Sequence, residues 1–265
     1  MADRTARVRA WRPEVPGLTE VLHASFSDHA YPMHTHDAWT VLLVDAGGVR
    51  YDLDHREHQT APTRVVLLPP HVAHDGRSAG AEGFRKRVLY LDAGQVDVRR
   101  LGRAVDQPDR ADPDLRAAVD GVHRALAHPG DELEAESWLA LVTARLGRHL
   151  AGTEVGATSR RAPTLARRLQ DLLDAHVVDG VSLATASETL GSRPSHLVRA
   201  FGREVGVSPH RYLVGRRVDL ARRLLLAGER PGDVAVQVGF YDQAHLTRHF
   251  ARMLGVTPAA YARSR

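Results

Sequence analysis

The chain is 265 residues long, 43% hydrophobic and 26% charged, with a formal net charge of +4; that size suits about two domains and a core large enough to fold without a metal or disulfide staple. Cysteine is absent, which excludes disulfides, thiolate zinc sites and thiol redox chemistry; no signal-like N-terminus or apolar run of about 18 residues is found, so a cytoplasmic protein with no membrane partner is expected. Residues 159–265 hold 17 Arg against 9 acidic residues, whereas residues 1–158 hold 19 basic against 23 acidic, an asymmetry that points to an anionic partner for the C-terminal half, with nucleic acid first.

Residues 18–92 read as short strands. TEVLHASF, WTVLLV, GVRYDL, TRVVLLP and FRKRVLYL are rich in β-branched and aromatic residues and are separated by turn signals at Gly47-Gly48, Pro62, Pro69-Pro70 and Gly80 to Gly83. Strands at this spacing predict a sandwich or barrel. Lys86 is the only lysine, a bias ascribed to base composition and given no functional weight. Residues 112–151 change period: Leu115, Val119, Val122 and Leu126, then Leu133, Trp138, Leu141, Val142 and Leu146, recur at helical steps. Pro129-Gly130 breaks the two helices. Their apolar faces either pair two chains or pack on their own barrel. The stretch 152–163 is polar and aperiodic and reads as a linker. From Thr164 the pattern predicts helices at 164–177, 183–190, 194–205, 209–227, 231–238, 242–254 and a last turn near 258–262.

The helical part contains a duplication. PSHLVRAFGREVGVSPHRY at 194–212 aligns with QAHLTRHFARMLGVTPAAY at 243–261, with nine of 19 positions identical. Each copy follows a short amphipathic helix ending at Gly191 or Gly239, which is the helix-turn-helix plan. Leu197, Phe201 and Val205, like Leu246, Phe250 and Leu254, fall on the core side. Ser195, Val198 and Arg199, and Gln243, Ala244, Thr247 and Arg248, are thereby left toward DNA. The helix at 209–227 joins the units, with Leu213, Val214, Val218, Ala221, Leu224 and Leu225 as its apolar stripe and Arg216, Arg217, Arg222 and Arg223 around the rest. His196 and His245 read as structural or phosphate-facing, since neither has a nearby base or metal ligand.

The run from Ser182 to Tyr261, including GVSPHRYLVGRRVDLARRLLLAG and VGFYDQAHLTRHFARMLGVTPAAY, resembles the DNA-binding domain of AraC/XylS-family transcription regulators. Ser187, where Ala is usual, and Arg193-Pro194, where a Ser-containing start is common, depart from that pattern. Eleven of the 16 histidines precede residue 159. Among them, PMHTHDAWTVLLVDAGG and LLPPHVAHDG resemble the cupin domains common at the N-terminus of such regulators. Together these likenesses imply an α+β multidomain chain: a cupin-like sensing barrel at 1–110, a helical dimerisation or linker region at 111–151, a flexible linker at 152–163 and a tandem helix-turn-helix domain at 164–265. They also imply double-stranded operator DNA, a small-molecule effector, a second copy of the chain and RNA polymerase as partners.

Alternate residues of a strand share a face, so His34 and His36 are expected to point into the barrel, with His74 approaching from a neighbour. His34, His36, Trp39, His74, Arg87 and Tyr90 form the candidate effector lining. Three neutral imidazoles from His34, His36 and His74 can hold a divalent metal with open positions; alternatively they hydrogen-bond an organic ligand or order the strand. Metal-binding cupins usually add a Glu shortly after the paired His, and here that stretch reads Asp37-Ala38-Trp39-Thr40-Val41. A catalytic cupin is the competing reading, but it lacks a clear acid/base residue, so a regulator rather than an enzyme is expected.

Overall fold

A computed structural model describes residues 6–96, 101–151 and 163–264; the expected linker, apart from residue 163, lies outside the described residues. The N-terminal half is built on strands β1 (Arg7–Trp11), β2 (Leu18–Phe26), β3 (Tyr31–His34), β4 (Trp39–Gly47), β5 (Val49–Leu53), β6 (Arg56–Thr60), β7 (Val65–Leu68), β8 (His74–Ser78), β9 (Phe84–Leu91) and β10 (Asp109–Arg110). A short helix, α1 (Leu101–Asp106), precedes β10. The strands form two antiparallel sheets, in the orders β1-β2-β9-β4-β7-β10 and β3-β8-β5-β6, which face each other as the walls of a barrel. All five expected strands are present. β1, β3, β6, β8 and β10 complete the sheets.

The larger sheet is buried on both faces. Inward side chains such as Leu22, Leu42, Val66 and Val88 pack with Tyr51 and Leu53 of the smaller sheet. Outward ones, including Val41, Leu43, Leu89 and Leu91, lie beneath two helices, α2 (Pro113–Ala125) and α3 (Glu132–Leu150). The Asp112 carboxylate accepts the N–H groups of Asp114 and Leu115 and Pro113 occupies the first turn, which starts α2 cleanly. Gly121 lets the helices approach, since a Cβ there would sit 2.4 Å from the Trp138 ring. The apolar stripe of α3 runs through Ala135, Leu139, Val142, Leu146 and Leu150. Leu133 and Leu141, expected in that stripe, instead stand 76% and 52% exposed.

The C-terminal half is helical: α4 (Leu165–Ala175), α5 (Leu183–Leu190), α6 (Pro194–Val205), α7 (Pro209–Leu226), α8 (Pro231–Gln237), α9 (Gln243–Leu254) and α10 (Pro258–Ala262). Boundaries agree with the sequence pattern to within one or two residues because each helix carries its own stop or start. Ser208-Pro209 and Thr257-Pro258 repeat one device, a hydroxyl accepting the N–H three residues on with proline at the first helical position. Leu197, Phe201 and Tyr212 centre one small core with Leu169 and Ala186. Leu246, Phe250 and Tyr261 centre the second, and its cluster runs on without a break into the barrel interior.

Candidate DNA-binding face and effector site

Both helix-turn-helix units present the expected surface. α6 buries Leu197 and Phe201 while Ser195 and Arg199 are exposed and Val198 is half-buried; α9 buries Leu246 and Phe250 while Gln243, Ala244 and Arg248 are exposed and Thr247 is half-buried. Arg199 folds back so that its Nε donates to the Ser195 carbonyl at 3.1 Å. The repeated histidines each reach four residues back: His196 Nδ1 lies 3.1 Å from Ser192 Oγ, and His245 Nδ1 accepts the Tyr241 N–H at 3.4 Å. They therefore brace the turn ahead of each outward helix. Ser187 is also accounted for, its hydroxyl donating to the Ser192 carbonyl at 2.6 Å. The joining helix α7 has 18 residues, about 27 Å at 1.5 Å each, comparable with the roughly 34 Å between successive major grooves on one face of DNA.

Four of the five arginines of α7, Arg216, Arg217, Arg222 and Arg223, are not a solvated fringe. Arg222 is 3% exposed; Arg216 Nε donates to Asp174 at 2.9 Å, and Arg217 Nε to the Val177 carbonyl at 2.8 Å. Of the four, only Arg223 is largely exposed, and it too pairs with Asp37. Part of the basic excess of this half is thus spent on internal ion pairs.

Inside the barrel, β3 and β8 set His34 directly opposite His74. The Pro69-Pro70 turn continues into His71, whose left-handed backbone (φ 63°) lets its N–H donate to the His36 carbonyl at 2.7 Å, and so carries the chain past His36 into β8. The ring centroids of His34, His36 and His74 lie 4.6–4.9 Å apart. Burial, reinforced by the neighbouring His74, holds His34 and His36 well below the usual histidine range, and burial takes His74 down to about 4. All three are neutral imidazoles at pH 7. They share a cavity with Tyr31, Thr40, Tyr51, Lys86, Tyr90 and, from α9, Leu254. Its free space is about 50 Å³. Lys86 is buried, its ammonium 3.9 Å from the centre of the Tyr31 ring, and burial lowers its pKa to about 7. The Thr40 hydroxyl is buried and has no hydrogen-bond partner among the described residues.

The two halves meet around this cavity. Arg222 Nη2 of α7 donates to Glu20 of β2 at 2.6 Å, and the guanidinium lies 4.4 Å from the centre of the Tyr90 ring. The Tyr261 hydroxyl also donates to Glu20. His36 Nδ1 lies 3.2 Å from Asp219 Oδ1, and Arg216 Nη1 lies 3.5 Å from Asp37.

Comparison with known proteins agrees with this architecture domain by domain. Residues 16–143 match the model of the AraC-like ligand binding domain, and residues 186–264 match a helix-turn-helix domain. This chain belongs to the AraC family of transcription regulators. Among its relatives, the HTH-type transcriptional regulator YbfI of Bacillus subtilis is 25% identical over 223 residues, covering 82% of this chain and 81% of the relative. ExsA of Pseudomonas aeruginosa is 26% identical over 199 residues, covering 67% and 70%. ToxT of Vibrio cholerae with an unsaturated fatty acid bound shares the fold at a TM-score of 0.59, with 12% identity and 99% and 96% coverage. An AraC-type regulator of this kind joins a ligand-binding domain to a helix-turn-helix domain.

Within this AraC-type architecture, the expected effector lining needs two corrections. Trp39 and Arg87 lie on the outer face of the large sheet. Trp39 is packed among the residues covered by α2 and α3, and Arg87 pairs with Asp45 and with Asp120 of α2, each at 2.8 Å. Each is one residue out of register with an inward neighbour, Thr40 or Lys86, and strand side chains alternate. His34, His36, His74 and Tyr90 are gathered as expected. Lys86, Tyr31, Thr40 and Leu254 had not been identified as lining residues. For Lys86 the available signal was a lone lysine between Phe84 and Val88, at the inward phase of an apolar strand.

Proposed function

We propose that this regulator binds operator DNA through the outward residues of α6 and α9, and that an effector in the barrel controls how those helices are presented. The residues assigned to DNA are Ser195, Val198, Arg199, Gln243, Ala244, Thr247 and Arg248. The observation that carries the reading is Leu254: the C-terminal residue of a DNA-reading helix lines the barrel cavity. Ligand pockets commonly measure about 300–1,000 Å³, far more than the 50 Å³ free here. An organic effector therefore has to open the cavity, and Leu254 is one of the walls that moves. Ligand shifts the balance by its different affinities for the closed and opened arrangements.

The chemistry of the lining suits an effector with an apolar body and an anionic group. Lys86 is the buried ammonium for that group, and Thr40 offers a free hydroxyl. The fatty acid named for the ToxT structure is one molecule of that type. The chain acts as a regulator rather than an enzyme, in the cytoplasm; among the described residues no helix is long and apolar enough to cross a membrane. Two copies pair through the exposed face of α3 around Leu133 and Leu141, and RNA polymerase is the further partner at a promoter. L133E/L141E is expected to sediment as a monomer where the parent sediments as a dimer; unchanged sedimentation places pairing elsewhere.

Genomic fragments selected by the full-length protein supply the probe for a gel-shift test. Arg248→Ala should weaken binding by about 1–3 kcal/mol, roughly five- to 150-fold, and affinity should fall steeply with salt as phosphate contacts displace counterions. Salt-independent binding, or unchanged affinity in the variant, argues against this face.

A further inference from the structure

The three barrel imidazoles are held in the manner of metal ligands, and one of them is held by the DNA-binding half. His34 and His74 are each tied through Nδ1 to the carbonyl two residues earlier, Pro32 at 2.7 Å and Val72 at 3.0 Å. His36 is tied through Nδ1 to the Asp219 carboxylate of α7 at 3.2 Å. Carbonyl and carboxylate oxygens only accept, so each Nδ1 carries the proton and each Nε2 keeps its lone pair. Coordinating histidines typically donate their far N–H to a carbonyl or carboxylate in this way.

Size and donor chemistry agree. One ring nitrogen from each histidine lies within 4.8 Å of the others. Two nitrogens bound to one zinc-sized ion are at most about 4.2 Å apart, so small ring rotations close the set. A free space of about 50 Å³ takes an ion with one or two waters, each water's share of liquid volume being about 30 Å³. The nearby carboxylates are engaged elsewhere: Asp37 with Arg216 and Arg223, Glu20 with Arg222, and Asp75, which also lines the cavity, with the Asp52 N–H and Arg77. The remaining donors are neutral nitrogens, which suit zinc, nickel, copper or ferrous iron rather than calcium or magnesium.

We propose that the barrel binds one divalent transition-metal ion through His34, His36 and His74, and that Asp219 positions His36 from across the domain boundary. A metal-bound imidazole is a stronger N–H donor, so binding tightens the His36–Asp219 hydrogen bond and the seating of α7 on the barrel. By linkage, whatever undocks α7 loosens the ion by the same factor.

Cobalt(II) is the probe, titrated into chelator-stripped, untagged full-length protein and read by its visible absorption and by equilibrium dialysis. The expected result is one ion per chain, lost in both His34→Gln and His74→Gln, each checked for native circular dichroism. Asp219→Ala should lower cobalt affinity by about 10–100-fold, with Asp219→Asn, which keeps an acceptor, recovering part of it. His249→Ala should leave affinity unchanged; it removes one of the surface pair His245/His249, whose rings lie 4.9 Å apart. Binding that survives both barrel variants, or falls only with His249→Ala, overturns the site. Binding lost with the barrel histidines but indifferent to Asp219→Ala overturns the link across domains. The titration needs no DNA, so it stands or falls separately from the DNA-binding reading.

Discussion

Removing the Glu20 carboxylate should uncouple the barrel from the helices behind it. Glu20 and Arg222 side chains are 6% and 4% exposed, and among the described residues the guanidinium has Asp219, at 3.3 Å, as its second carboxylate partner. Breaking a buried pair by deleting one member costs about 3–5 kcal/mol, because the other charge stays buried without its partner. With Asp219 retained, the low end, about 3 kcal/mol, is expected for Glu20→Ala, or roughly a 150-fold shift in the docking equilibrium. Taking a urea slope near 3 kcal/mol/M, the unfolding midpoint should drop by about 1 M. The molecule supplies two probes: its three tryptophans, Trp11, Trp39 and Trp138, all lie in the barrel half, so fluorescence reports that half, whereas far-ultraviolet circular dichroism is weighted to the helices. Their transitions should coincide in the parent and separate in Glu20→Ala. The combined Glu20→Leu and Arg222→Met variant should recover most of the loss, since a matched apolar replacement leaves no orphaned charge. A loss below about 1 kcal/mol with coincident transitions would refute this reasoning.

Acid should weaken the packing of α2 on the sheet. His23 Nε2 lies 3.2 Å from His123 Nδ1; burial lowers His23 to about 4 and His123 well below the usual value, with Arg87 adding to both. Because the folded-state values are depressed, the unfolded chain takes up protons first, and stability present above about pH 6.5 is lost as pH falls toward 4. The melting temperature should be lower at pH 5 than at pH 7, by about 2–4 °C per kcal/mol lost; a flat profile contradicts the assignment. The two turn glycines provide a matched pair. Gly191 and Gly239 both have positive φ, but a Cβ at Gly191 meets nothing within 4 Å, whereas at Gly239 it would lie 2.1 Å from the Val178 carbonyl. Gly191→Ala should cost about 1–2 kcal/mol, the left-handed penalty, and Gly239→Ala distinctly more; equal losses in urea titrations would show that the close approach is unimportant.

How much was legible in the sequence follows from which signals were local. Helix boundaries from Thr164 onward were readable because Ser, Thr, Asp, Pro and Gly mark each end. β6 (REHQT) and β8 (HDGRS) were not, because they contain few strand-favouring residues and exist through their pairing with β5. The phase of β4 was hidden for a related reason: with helices covering its outer face, WTVLLV is apolar on both sides, and no alternation marks Trp39 as outward and Thr40 as inward. The histidine trio survived because His34 and His74 flank recognisable turns. The contacts of Asp219 and Arg222 with the barrel join residues about 200 positions apart, and no periodicity within α7 distinguishes an arginine facing water from one facing Glu20.

Helix α9 carries Gln243 and Arg248 near one end and Leu254 at the other. At about 18 Å for its 12 residues, it is too short and too regular to bend without breaking hydrogen bonds, so a displacement at the stopper reaches the probe as a tilt. Inheritance of the two specificities is therefore not modular. Grafting this barrel onto a relative's reading domain should yield a deaf chimera unless the graft carries a matching side chain at position 254.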